Sequence, residues 1–467
     1  MKNFLDQDFL LDTTIACDLY HNYAKAMPIY DYHCHLKPEL VAEDRHFRSI
    51  TELWIKDDVY KWRAMRTHGV EEKYCIGEEC SDWEKFEKWA EVFPYTVCEP
   101  LYLLSCLELK TIFGITKVLS PETAREIYDE CNEKLQSKEY SSLELLRKFH
   151  VEVLWTTDDP TDDLTSHRQH NQKDKNTKMY PSWRPDQAMN IEREGFADYV
   201  DRLRNTADLD ICCFSDMLDA LSMRHQYFVD HECCLSDHDI EEFYDEEFTD
   251  SQIDTIFRKA MRGMRLSTLE IHQYKHCFLR KMAEMDYATG WTQQFHCGAI
   301  HDKSNLISRS VGRKYGFDSI GVFNTAKAMG HFMDYLSSEN KLTRTILYSI
   351  NPSSNDMIAA MLGNFQDGSC QGKIQFGLGW WLNNQYDAIL RHLNAISVDG
   401  NFSHFIGFMT DCHSLLSFSR HEFFRRILCN VVGNFVERGL LPYNEPLLAR
   451  LVEDISYNNV KRYISPT

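Results

Sequence analysis

Short apolar runs ending in polar residues recur along the chain, and segments long enough for helices lie between many of them. This rhythm limits the available folds more than any other feature. Seven such runs stand out, at 27–36 (MPIYDYHCHL), 149–160 (FHVEVLWTTDDP), 178–186 (KMYPSWRPD), 290–300 (GWTQQFHCGAI), 343–352 (TRTILYSINP), 372–381 (GKIQFGLGWW) and 403–414 (SHFIGFMTDCHS). Strands joined through helices pair in parallel, because a parallel crossover needs a dozen or more residues. Seven candidates, with an eighth still to be found, fit a closed TIM-like (β/α)8 barrel better than an open doubly wound sheet. The open sheet also lacks support from a G-x-G-x-x-G phosphate turn. Residues 40–148 read as consecutive helices and 187–289 as mainly helical. Both are expected to be insertions over the barrel mouth within one domain spanning 1–467.

Composition narrows the partners. Fifty-one basic against 71 acidic side chains leave a net charge of −20. That balance excludes nucleic acid and anionic membranes as main partners, since both need a basic footprint. A hydrophobic fraction of 43% is that of a packed globular chain. No run approaches the ~20 consecutive apolar residues of a membrane span, and the acidic N-terminal stretch is not a secretory signal. Sixteen scattered cysteines without a paired C-x-x-C array point to reduced thiols and a cytoplasmic protein.

The candidate chemistry lies at the ends of the runs, where a parallel barrel gathers its active groups. In YDYHCHL, His33 and His35 share one face of the first strand, because side chains alternate with period two. Twenty histidines in 467 residues would produce roughly one H-x-H by chance. The pair therefore reads either as two metal ligands or as two satisfied core histidines. Asp411, at the end of the last run, neighbours the first strand if the barrel closes. It is either a third ligand or an N-cap for the helix that follows. Two imidazoles and a carboxylate suit a divalent ion, Zn²⁺ or else Mn²⁺ or Fe²⁺. His296 is a further ligand or acid–base candidate. Arg184 and Arg420 read either as carboxylate binders or as members of structural ion pairs.

The ordered series YDYHCHL, AEDRHF, YKWRAMRTHG, TTDDP, WRPD, RHQYF, LSDH, GWTQQFHCGA, MLGNFQDG, GWW and SRHEFFRRILCN resembles the uronate isomerases, divergent members of the amidohydrolase superfamily, along the whole chain. The resemblance implies a distorted (β/α)8 barrel. It also implies interconversion of D-glucuronate with D-fructuronate and of D-galacturonate with D-tagaturonate. It further implies a divalent metal, often zinc, on His33, His35 and Asp411, with Tyr60 and Asp411 moving protons between C2 and C1. Arg184 matches a substrate-contacting arginine and His296 a histidine at the barrel mouth. Trp380, His301 and His413 fall where substrate contacts are expected. The partner implied is a small uronic acid, and self-association of the chain is left open.

Departures from the family pattern cluster around the expected site. Val59 precedes Tyr60 where histidine is usual, and Leu103, Leu104 and Cys106 stand for His, Trp and His. Ile300-His301-Asp302-Lys303 stands for Gln-Arg-Asn-Asn, Leu378 for serine and Asn384 for aspartate. His413 replaces an arginine expected to stabilise an enediolate. Three readings follow: a working isomerase with an altered pocket, a metal enzyme with a changed substrate, and a non-catalytic sugar-acid binder.

Overall fold

A computed structural model describes residues 3–313, 315–323, 325–380, 383–398 and 400–464. Seven parallel strands form its centre: β1 (Ile29–Asp31), β2 (Val151–Trp155), β3 (Lys178–Tyr180), β4 (Leu235–Ile240), β5 (Thr292–Cys297), β6 (Thr345–Ser349) and β7 (Ile374–Phe376). They pair in sequence order within two sheets, β1-β2-β3 and β4-β5-β6-β7. Single bridges join the two sheets. Trp183, just beyond β3, bridges Asp158 on one side and Ser236 of β4 on the other. Leu378, beyond β7, bridges Phe408, so residues 405–412 act as the eighth stave.

The circuit then closes on β1. The Asp411 amide donates to the His33 carbonyl at 3.1 Å, and the His35 amide donates to the Cys412 carbonyl at 2.8 Å. Asp31 reinforces this seam by accepting from the Thr410 amide at 2.8 Å and from the Thr410 hydroxyl at 2.5 Å. The fold is therefore a distorted (β/α)8 barrel, and the open sheet is set aside by its closure. Leu154, Phe295, Ile346, Leu347 and Ile374 are fully buried in the strands, each contributing roughly 1.5–3 kcal/mol of hydrophobic stabilisation.

The strand missing from the seven expected runs, β4, lies where a helical insertion was expected. Residues 187–289 are divided by β4, whose sequence LSDHDI carries polar residues on both faces. Every residue from Leu235 to His238 is nonetheless buried. Because both faces are polar, no apolar alternation marks the strand. Between β1 and β2 the described residues form α-helices and short 3₁₀ turns. The helix Val59–Thr67 is started by Asp58, whose carboxylate accepts from the amides of Tyr60 and Lys61. That cap fixes Tyr60 in the first turn. The run 372–381 ends at Trp381, which lies outside the described residues.

Candidate metal centre and adjoining cavity

Just beyond β1, the rings of His33 and His35 meet edge to face with centroids 4.9 Å apart. Asp411 comes from the eighth stave, with a left-handed φ of 49° that turns its carboxylate toward them. Its Oδ1 lies 3.3 Å from His33 Nε2 and 3.1 Å from His35 Nε2. The three donor atoms all lie within 4.8 Å of one another, a spacing that one divalent ion could bridge. Asp411 does not cap the following turn, because Ser414 does so by accepting from the Leu416 amide. Burial opposes ionisation of Asp411, but its hydrogen bonds with His33 and His35 hold the carboxyl far below the usual range.

A second group completes the centre. His296, on β5, pairs through Nδ1 with Asp237 Oδ1 at 2.6 Å. Burial is again the largest influence on Asp237, but Arg184, then His296 and His33, outweigh it and keep the carboxyl well below its ordinary value. Nδ1 of His296 is therefore the donor, which leaves Nε2 as a buried acceptor without a hydrogen-bond partner. The imidazole lies flat on Tyr348, with centroids 4.1 Å apart and planes 3° apart, and its ring centroid is 5.0 Å from that of Trp380. Its centroid is also 4.6 Å from that of His33. His33, Asp237 and His296 form a second donor set sharing His33.

Arg184 sits among three carboxylates. It contacts Asp186 at 2.7 Å, Asp237 at 2.8 Å and Asp239 at 3.2 Å. His413 stacks on His35 at 4.8 Å. His301 lies 3.0 Å from Asp239 and 3.4 Å from Asp318. Burial penalises a charged His301, but its hydrogen bonds to these two carboxylates prevail and raise its pKa to about 10. A raised folded pKa stabilises the protein fully below the unfolded value of about 6.5, and the stabilisation is lost as pH rises through the folded value. The gap in melting temperature between the wild type and His301→Gln is therefore expected to be widest near pH 6 and to close toward about pH 10. A gap independent of pH across that range would contradict the assignment.

A cavity of about 340 Å³ opens beside the centre, lined by Tyr60, Leu104, Ser105, Asn384 and Arg420 among others. Such a volume suits one small ligand. Burial pushes the Tyr60 phenol well above its ordinary pKa, the Asp411 carboxylate adds to this, and Arg420 opposes it. Tyr60 is thus a protonated phenol in the free protein. The loop around Asp318 is tied to the Tyr60 helix through Arg63, which donates to the carbonyls of Gly316 and Asp318. Arg66 also donates to the Tyr315 carbonyl.

Among the expected departures, Leu104 forms part of the cavity wall, and Cys106 is buried on the same helix. Asp237 carries much of the local electrostatics and was absent from the expected site residues. Its one sequence signal is a carboxylate in LSDH, a segment that does not look like a strand.

Comparison with known proteins decides the family. A family model described as glucuronate isomerase matches residues 1–464. The uronate isomerase of Bacteroides thetaiotaomicron is 54% identical over 465 residues, covering 99% of each chain. This chain belongs to the uronate isomerase family. The uronate isomerase of Cellvibrio japonicus is 47% identical over 464 residues, with 99% of this chain and 98% of that one covered. The solved uronate isomerase of Thermotoga maritima superposes with a TM-score of 0.93 at 32% identity, covering 99% of this chain and all of that one. The glucuronate isomerase of Caulobacter crescentus, at 21% identity and a TM-score of 0.91 over 98% and 96% of the two chains, shares the fold. Uronate isomerase function, and with it a sugar-acid substrate, accords with the full-length match to these relatives. Among the described residues no helix is long and apolar enough to cross a membrane.

Proposed function

We propose that the cavity beside His33, His35 and Asp411 interconverts D-glucuronate with D-fructuronate and D-galacturonate with D-tagaturonate. The observation that carries this reading is the convergence of two imidazoles and an ionised carboxylate next to a cavity holding a phenol and a guanidinium. Aldose–ketose isomerisation removes a proton from C2, holds an enediolate, and returns a proton at C1.

His33, His35 and Asp411 would hold a divalent ion, Zn²⁺ or in its place Mn²⁺ or Fe²⁺. When bound, such an ion orients the substrate's oxygens and offsets their negative charge. Asp411, ionised at neutral pH, is the proton acceptor of the pair. Tyr60, protonated in the free protein, is the donor at the adjacent carbon. His296 offers an acceptor at Nε2 that Asp237 holds in one tautomer, suited to moving a proton between substrate oxygens. Arg184 and His301 bring positive charge to the mouth, each already tied to carboxylates. Trp380 meets His296 edge to face and His413 lies flat against His35.

None of the sixteen cysteines forms a disulfide, which supports a cytoplasmic location. Stripping divalent ions with a chelator is expected to abolish turnover of D-glucuronate, and adding Zn²⁺ or Mn²⁺ is expected to restore it. Undiminished turnover by protein verified as metal-free would overturn the role given to the three donors.

A further inference from the structure

The cavity beside Tyr60 holds polar groups that the protein itself leaves unsatisfied. Arg420, the first residue of the helix Arg420–Glu437, is only 7% exposed. Its Nε has no hydrogen-bond partner, and no ion pair involves its guanidinium among the described residues. The other cations lining the cavity are already engaged. Lys61 contacts Asp58 at 2.5 Å and Glu108 at 3.9 Å, and Arg63 donates to two backbone carbonyls. Glu108 in turn accepts from Trp54 Nε1 at 2.5 Å.

Two uncharged groups repeat the pattern. Asn384, 8% exposed, donates through Nδ2 to the Gly379 carbonyl at 2.6 Å. This fixes the amide's orientation and leaves Oδ1 buried without a donor. Ser105, fully buried, has an Oγ without a partner. A buried guanidinium without a direct ion pair is costly in a resting protein, because burial removes its hydration and the carboxylates of Glu108 and Asp58 act on it only through space. The same guanidinium is an asset if an anionic ligand completes it.

We propose that Arg420 binds an anionic oxygen of the sugar acid within the Tyr60 cavity, with Asn384 Oδ1 accepting from a substrate hydroxyl beside it. The inference rests on the isomerase reading only for the identity of the ligand. Arg184 is surrounded by three carboxylates and would have to share its charge with them, whereas Arg420 makes no ion pair among the described residues. The anionic oxygen has two sources, the substrate carboxylate, charged on arrival, and the enediolate oxygen, charged only during reaction. Arg420 also faces Tyr60, Asp58 and Glu108, and the Cys412 thiol lies nearby. An anion bound there would stand beside the phenol assigned to proton transfer.

The test compares wild type, Arg420→Gln and Arg420→Lys, all metal-loaded. It measures turnover of D-glucuronate and the melting temperature with and without D-glucuronate. The expected result is a fall of about 10²-fold in kcat/KM for Arg420→Gln, partial recovery in Arg420→Lys, and an unliganded melting temperature equal to or above that of the wild type. If the substrate carboxylate is the anion, KM rises and stabilisation by D-glucuronate is lost. If the enediolate is the anion, kcat falls while that stabilisation persists. Arg420→Gln with kcat/KM within about threefold of wild type, or with a clearly lowered unliganded melting temperature, would overturn the proposal in favour of a spectator or a structural role. A wild type that turns over neither uronate but is stabilised by D-glucuronate in an Arg420-dependent manner would retire the isomerase reading and leave this one standing.

Discussion

Replacing Asp411 with asparagine is expected to lower kcat/KM for D-glucuronate by about 10³-fold or more, leaving a folded protein. Asparagine is nearly isosteric and keeps the backbone bond to the His33 carbonyl. It also tolerates the left-handed conformation at φ 49° better than most residues. What it lacks is the charge. The carboxylate is the only anionic member of the His33–His35–Asp411 set, and its loss removes both a metal ligand and the assigned proton acceptor. Removing a single charge-stabilising group at a reacting centre typically costs ~10²–10³ in rate, and here two roles disappear together. Metal content measured on the same sample should fall. A variant retaining more than about a tenth of wild-type turnover would contradict the assignment.

The second large effect is expected at Asp237. This fully buried carboxylate joins His296 at 2.6 Å and Arg184 at 2.8 Å, and lies 3.7 Å from His33. Asp237→Asn leaves the half-buried Arg184 guanidinium with less charge opposite it. Breaking a buried ion pair from one side costs ~3–5 kcal/mol. Arg184 keeps Asp186 and Asp239, so the lower end, about 3 kcal/mol, is expected, read as a shift in denaturant midpoint. Activity should fall too, by about 10–100-fold, the scale found when a group orienting a site histidine is removed. An amide can donate as well as accept at the position facing His296 Nδ1, so the ring is no longer held in one tautomer. Unchanged stability with lost activity would mean that Arg184 does not depend on Asp237. Unchanged activity would mean that His296 does not.

The parts of the fold that were legible share a physical cause. Runs such as TRTILYSINP announce themselves because β6 is buried on both faces and mostly apolar. β4 did not, because its buried groups are satisfied by partners distant in sequence. Ser236 donates to Asp286, and Asp237 pairs with Arg184 and His296. A strand stabilised by long-range polar contacts leaves little periodic trace. The same reason hid Asp237, whose importance comes from three elements meeting.

His33 and His35 were legible as a pair from their spacing, but the ligand reading draws its support from Asp411 alongside them, a contact that exists only when the barrel closes. Tyr60 had no local signal beyond the family resemblance, because its helix belongs to the 40–148 region, far from the strand ends. Arg420 was legible only as one of two arginines able to hold a carboxylate. The distinction between them is geometric: three carboxylates surround Arg184, and Arg420 has no ion-pair partner among the described residues. The replacement expected at His413 places an imidazole flat against His35, a contact that fills the space beside a proposed ligand without adding a bidentate cation.

The most direct measurement is the conversion of D-glucuronate and D-galacturonate by metal-loaded wild-type protein, followed by proton NMR for D-fructuronate and D-tagaturonate. The account predicts that both ketoses form, and that neither forms after the divalent ion is removed. A folded, metal-bearing protein that leaves both sugars unchanged would contradict it.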